Sequence, residues 1–458
     1  MAISAVLLVV LSVGGCGGDE PPQELLCQAG AYRLDDGELL ALTPSDGDTL
    51  RYRLFSGRSG RLHPDGAGRF VSGDGWSVRE PVTLVVTLAN CGEGRITLDP
   101  LHGEPVVGRR LPLRESEVAF EGRGVRLHGK LVLPEGEPRA IAVLGHGSED
   151  WAATAFYAWQ YLLPPAGIGV FLFDKRGTGA SEGEYTQDFD LLADDLAAAA
   201  REARSLVGPT PPLGFLAGSQ GGWVAPLAAS REPVDFVAVG YGIVESPLAE
   251  DRGEVLSNLR RAGYGPEVLA KAREVTDATG AIMASGFREG YDALEALEEK
   301  YRGEPWWEQL EGEFTQDIVR YPAWVLRIVG PWFDRGTPWD YDPLPVLDAL
   351  LARGTPVLWI AGGEDTEAPM EASLEILRRR QAGPGHLDVA VFPRAEHGII
   401  EVEGQGAARR LLGHPEGYWP LQVHWIEMRN LEGSFGGAEL HPDPDATSSP
   451  RPAARGST

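Results

Sequence analysis

Three cysteines, four lysines and four methionines in 458 residues leave several chemistries without their usual parts. No C-x-x-C and no H-E-x-x-H occurs, so neither a dithiol redox centre nor a zinc-protease helix is available. None of the lysines stands three residues after a serine, which removes the S-x-x-K acyl-transfer arrangement, and no P-loop is present. Positive charge is also short: 41 Lys and Arg face 67 Asp and Glu, for a formal net charge of -26. A field of that sign repels nucleic-acid phosphate and anionic lipid unless a local basic patch intervenes. The longest basic run is Arg378 to Arg380, which reads as a solvated helix face, so no nucleic-acid partner is expected.

Long apolar runs are missing as well. The longest candidate opens the chain, "MAISAVLLVVLSVGGCGGDEPP", and its apolar core is too short to span a bilayer. Small residues and a cysteine follow, and "SVGGC" resembles a lipobox with Cys16 as the lipidated residue, although no Lys or Arg precedes the apolar run. The expectation is an envelope protein of a bacterium, touching the membrane through a lipid anchor only, with residues 1–27 as leader and linker. A plain secretory signal, giving a secreted or periplasmic protein, or a mis-assigned start is the alternative. With Cys16 acylated, Cys27 and Cys91 remain, and an oxidising compartment would let them form a disulfide or leave them as two buried thiols.

With 43% hydrophobic residues the chain can bury a large core, and its length suggests two folded parts. Residues 28–113 read as short alternating strands ("TLRYRLF", "VTLVVTL", "RITLDP") broken by "DDG", "SDGD" and "PDGAG", a small antiparallel β domain with no catalytic grouping. From 114 to about 430, apolar strands ("AIAVLGHG", "GIGVFLFD", "PLGFLAG", "TPVLWIAGG", "LDVAVFP") alternate with helical segments, the pattern of a mostly parallel sheet covered on both faces. Strand signal disappears over about 246–342, where tryptophan-rich helical segments suggest a cap inserted into that α/β domain. Residues 431–458 are rich in Pro, Ser and Gly and read as a disordered tail.

Chemistry concentrates in "GFLAGSQGGW". Ser219 follows a strand and precedes a helix, the context of a nucleophile elbow, where a strained serine needs small residues two before and two after it. Gly221 satisfies this fully; Ala217 adds one methyl to the usual G-x-S-x-G. A serine needs a base, and the base an orienting carboxylate. His397 in "VFPRAEHGII" and Asp365 in "WIAGGEDTEAP" each follow an apolar strand, in the order Ser219, Asp365, His397, with Glu364 and Glu245 as rivals for the acid. In "VLGHGSED" the backbone N–H of Ser148, together with that of Gln220, is the candidate oxyanion hole; His146 reads as a brace for that loop, and the Ser148 hydroxyl as a weaker nucleophile candidate. "FDKRGTGASEG" lacks the third glycine of G-x-G-x-x-G, since Glu182 stands there, and reads as a structural turn in which Arg176 and Asp174 pair.

Taken in order, "LGHGSED", "FDKRGTGASEG", "AGSQGGWVAPLAA", "GGEDTEAP" and "AEHG" resemble the α/β-hydrolase superfamily over about residues 115–430, and within it bacterial serine hydrolases of the serine-aminopeptidase-like and dienelactone-hydrolase-like groups. The resemblance implies an α/β-hydrolase fold with a helical cap, a Ser219–His397–Asp365 triad and a small ester or short acyl substrate, with no metal or organic cofactor. Ala217 departs from the family glycine, and Gly218 stands where such enzymes often have histidine. Esterase or thioesterase, peptidase or amidase, and a non-catalytic envelope binding protein on this fold are the readings left open.

Overall fold

In the N-terminal part each strand turns one set of alternate residues inward. The strands are β1 (Gly30–Leu34), β2 (Leu39–Pro44), β3 (Leu50–Leu54), β4 (Ser59–Pro64), β5 (Arg69–Gly73), β6 (Val82–Leu88), β7 (Arg95–Pro100) and β8 (Val106–Arg110). The computed structural model describes residues 22–444, so Cys16 and the expected leader up to residue 21 lie outside the described residues, as do 445–458. Each strand pairs antiparallel with the next, and β1 pairs with β8, closing a barrel without free edges. Tyr32, Leu40, Leu42, Leu50, Leu62 and Ile96 fill its interior. Cys27 and Cys91 are joined in a disulfide that ties the segment before β1 to the β6–β7 turn.

The second part is a nine-stranded sheet. Its strands are β9 (Arg114–Glu121), β10 (Arg126–Leu133), β11 (Ala140–Gly145), β12 (Ile168–Phe173), β13 (Leu213–Gly218), β14 (Val237–Gly240), β15 (Val357–Gly362), β16 (Leu387–Phe392) and a last strand, Glu439–His441. From β9 the spatial order runs β10, β12, β11, β13, β14, β15, β16 and then the last strand. The six strands from β12 to β16 in that row are parallel, and β9, β10 and the last strand are antiparallel edges. Every residue of β11 to β16 is buried, as expected when helices cover both faces. Helices α1 (Phe189–Val207) and α2 (Gly221–Arg231) lie on one face; the alanines Ala193, Ala197, Ala200 and Ala225 let them approach the strands closely. Asp188 starts α1 by accepting from the N–H groups of Asp190 and Leu191.

The chain order departs from β11 in both directions, so the sheet reverses between β11 and β13, and the loops leaving both strands open at one edge. Over that edge sit cap helices α3 (Pro247–Arg261), α4 (Pro266–Ala284), α5 (Tyr291–Tyr301) and α6 (Ala323–Phe333), packed around their own core of Leu259, Val275, Ile282, Tyr301 and Trp306. The barrel packs against the opposite face of the sheet: Ala31 and Ala41 share one apolar cluster with Leu162, Tyr418 and Trp419.

One expectation needs correction here. Of the 431–458 tail, residues 431–444 are built into the fold: Leu431 and Phe435 are buried, Glu439–His441 pairs with β16, and the Asp443 carboxylate accepts from Leu387 N at 3.0 Å. The open edge of β16 presents N–H and C=O groups that this segment satisfies, a demand that composition does not register.

Candidate active site

Ser219 has φ 52°, a left-handed conformation that costs a non-glycine residue about 1–3 kcal/mol and persists only when its surroundings impose it. They do. Its N–H donates to Gly240 O at 3.0 Å and its carbonyl accepts from Gly222 N at 2.7 Å, which pins the turn from β13 into α2. A Cβ on Gly221 would lie 2.7 Å from Ala217 Cβ, and one on Gly145 would lie 2.8 Å from the same methyl. The Ala217 methyl is accommodated because glycine stands on both sides of it. Gly218 is equally constrained, since a Cβ there would meet the Tyr241 hydroxyl at 2.3 Å.

His397, in the loop after β16, brings Nε2 to 3.1 Å from Ser219 Oγ and Nδ1 to 3.0 Å from Asp365 Oδ2. Asp365, after β15, is itself held: Oδ1 accepts from Ala368 N at 2.8 Å and Glu367 N at 3.1 Å. The rivals for the acid lie elsewhere. Glu245 accepts from Ser373 Oγ at 3.2 Å, and the Glu364 backbone pairs with Ala395 and Arg409. Burial opposes charging of the His397 ring, but the bond to Asp365 and the charges of Asp365, Glu367 and Glu250 outweigh it and push its pKa up to about 9.

The loop after β11 lies against Ser219: a Cβ on Gly147 would be 3.4 Å from Ser219 Cβ. Among the described residues neither the Ser148 nor the Gln220 amide donates to a protein acceptor, so both N–H groups next to the serine are free, and Gln220 is the residue preceding α2. His146 Nε2 donates to Phe173 O at 2.6 Å, fixing the loop to β12. A second brace was not legible in the sequence. Lys175, 1% exposed, donates to Gly147 O at 2.7 Å and Glu149 O at 2.8 Å, holding both carbonyls of the loop. The Tyr185 hydroxyl donates to Ser148 O. "FDKRGTGASEG" held the one clue, because a lysine two residues past a buried strand must find partners.

That loop also carries a correction. Arg176 pairs with Asp195 of α1, at 2.7 Å from Nε to Oδ2, and not with Asp174. Asp174 instead accepts from Thr154 N and Oγ1 and from Ala180 N. Sequence neighbours on a tight turn point apart, and the bidentate fork reaches a buried carboxylate one layer away.

Carboxylates ring the site, Glu367 from the loop that carries Asp365 and Glu250, Glu254 and Glu313 from the cap. Glu367 Oε1 is 3.6 Å from His397 Nε2. Burial, then mutual repulsion, holds Glu250 well above and Glu313 above the usual carboxylate range, and pushes Glu254 up to about 8. Tyr241 stands edge-on to His397 with ring centroids 5.1 Å apart. Farther under the cap, Met283, Phe287, Phe314, Ile318, Leu326 and Trp339 line an apolar cavity of about 410 Å³. Gln187, at its polar end, bonds the Tyr185 hydroxyl at 3.0 Å.

The strand order, the elbow and the loop positions together are those of the α/β-hydrolase fold. The family model described as serine aminopeptidase, S33, matches residues 136–292. A monoacylglycerol lipase of Mycolicibacterium smegmatis is 31% identical over 133 residues, 27% of this chain and 45% of that protein. The chain therefore spans less than half the length of this curated relative. Among solved structures, the esterase Pf2001 of Pyrococcus furiosus aligns over 62% of this chain and 83% of its own at 16% identity, with a TM-score of 0.40. An acylaminoacyl peptidase of Pyrococcus horikoshii aligns over 88% of this chain and 58% of its own at 14% identity, with a TM-score of 0.42.

Proposed function

We propose that this protein, built on the α/β-hydrolase fold, is a serine hydrolase that cleaves carboxylic esters through an acyl-enzyme. The observation that carries the reading is the bonded row Ser219 Oγ, His397 Nε2, His397 Nδ1, Asp365 Oδ2, with links of 3.1 and 3.0 Å. Ser219 Oγ attacks the ester carbonyl and its proton passes to His397 Nε2. Asp365 accepts from Nδ1–H and so keeps the proton-free nitrogen toward the serine. The carbonyl oxygen gains the displaced electron pair and meets the free N–H groups of Ser148 and Gln220 beside the positive end of α2. Collapse expels the alcohol, protonated by His397, and water repeats the sequence to release the acid. An ester substrate is in keeping with the lipase relative.

A fluorophosphonate probe should label the full-length protein at Ser219. Ser219→Ala should abolish labelling and lower turnover of short p-nitrophenyl esters by about 10⁴-fold or more. Folded protein that takes no label would favour a non-catalytic binding role.

A second reading, aminoacyl esters or amides, is favoured by Glu367, whose carboxylate lies 3.6 Å from His397 Nε2 and would attract a substrate ammonium. It is in keeping with the description of the matching family model. Comparing kcat/KM on matched esters with and without an α-amino group separates the two. For localisation we propose lipidation at Cys16 in a bacterial envelope; loss of the protein from the membrane fraction in Cys16→Ser is the expected outcome.

A further inference from the structure

Helix α6, "AWVLRIVGPWF", has Arg327 as its one charged residue, yet one side of it faces water. Val325, Leu326 and Gly330 are buried and turn toward the cap cavity. Trp324, Ile328 and Trp332, at i, i+4 and i+8, are 63, 61 and 78% exposed, with Tyr321 and Phe333 beside them. Five of the nine strongly exposed large apolar side chains among the described residues therefore sit within 321–333, so this is a patch and not scatter. A water-facing helix normally carries polar residues there.

Arginines also flank the patch, with Glu295 beside Arg320 and Arg327 and Asp317 beside Tyr321 as nearby carboxylates. Arg320, Arg327 and Arg335 are exposed around it, and none of the three takes part in an ion pair among the described residues. Arg302, on the same side, is neutralised by Glu298 at 3.0 Å, and Asp334 caps the turn to Gly336. Tryptophans with an apolar body and a polar N–H, flanked by arginines, suit the boundary between acyl chains and anionic headgroups. A second copy of the chain would bring the same arginines against these and a net charge of -26 against another. At 11 residues, about 16 Å, the helix is too short to cross a bilayer, and no helix among the described residues is long and apolar enough to do so.

We propose that α6 is a membrane-docking face: Trp324, Ile328 and Trp332 enter the interface of an anionic bilayer, with Arg320, Arg327 and Arg335 on its headgroups. The helix then has lipid on one side and the apolar cavity leading toward Gln187 and Tyr185 on the other. The proposal does not depend on the catalytic role of Ser219, and it adds a second membrane contact to whatever the N-terminus provides.

The test places an environment-sensitive NBD dye on Ile328→Cys in the full chain carrying Cys16→Ser, with Ser205→Cys, exposed on α1, as the control position. Vesicles of phosphatidylcholine with phosphatidylglycerol should blue-shift the dye at 328 and leave the dye at 205 unchanged, whether or not the N-terminus also binds. Arg320→Gln with Arg327→Gln should weaken the response by about tenfold on these vesicles and not on phosphatidylcholine alone. An unchanged dye at 328 on vesicle-bound protein overturns the proposal. A blue shift that follows protein concentration without vesicles, with a dimer in sedimentation velocity, overturns it in favour of self-association.

Discussion

Glu367 Oε1 lies 3.6 Å from His397 Nε2, the same nitrogen that faces Ser219 Oγ at 3.1 Å. The proposed base is thus held protonated by the carboxylates around it, with a pKa pushed up to about 9, and is mostly unable to accept the serine proton at neutral pH.

The pH profile follows from that sign. Activity on a neutral ester should rise with pH through about 9, as His397 loses its proton. Glu367→Gln removes one favourable charge, so the rising limb should move to lower pH and the rate at pH 7 should increase severalfold. The stability linkage runs the other way. A histidine raised in the folded state contributes stability that is fully present below about 6.5 and lost as pH rises through about 9. A kcat/KM profile from pH 6 to 10 for both proteins, with melting curves alongside, checks both statements.

Lys175 should matter to turnover more than to binding. Its replacement by Met keeps the volume but frees the carbonyls of Gly147 and Glu149, loosening the loop that carries the Ser148 amide. Lys175→Met should lower kcat by about 10- to 1,000-fold with KM changed little, and two buried carbonyls without donors should cost about 1–3 kcal/mol each in unfolding free energy. Equal losses of kcat with an unaltered melting temperature would argue for a direct electrostatic role instead.

The elbow can be probed through its methyl. Gly145→Ala would bring a Cβ to 2.8 Å from Ala217 Cβ and should destabilise the protein and distort the serine turn. Ala217→Gly removes the opposing methyl, so the double variant should recover most of the loss. A double-mutant cycle in urea should return a coupling of about 1–3 kcal/mol, whereas simple additivity would mean that the two positions do not share this space.

Cys27 and Cys91 are 64 residues apart and their bond closes a loop around most of the barrel. Cys27→Ser with Cys91→Ser should lower the stability of the barrel by about 2–4 kcal/mol and leave ester turnover nearly unchanged, because the triad stands on the other domain. Thiol titration with and without reductant would report the bond directly, and equal unfolding curves for the two proteins would deny it a stabilising role.

Much of this was legible in the chain itself because periodicity and small-residue spacing are local properties. Buried parallel strands announce themselves as continuous apolar runs, and a strained serine turn demands glycine or alanine at 217 and 221 whatever surrounds it. The sequence by itself therefore determined the mostly parallel sheet covered on both faces, the separate N-terminal β domain and the identity of the residues that meet at Ser219, and its ordered motifs carried the resemblance to the α/β-hydrolase fold. What it could not express were facts about partners across layers. Arg176 reaching Asp195 instead of Asp174, Lys175 holding the loop of Gly147, the segment 439–441 completing the edge of β16, and the arginines gathered around Trp324 each depend on distances between elements far apart in the chain. Those distances exist only once the layers pack, since a buried charge or an open strand edge is satisfied by whatever the tertiary structure brings within about 3 Å of it.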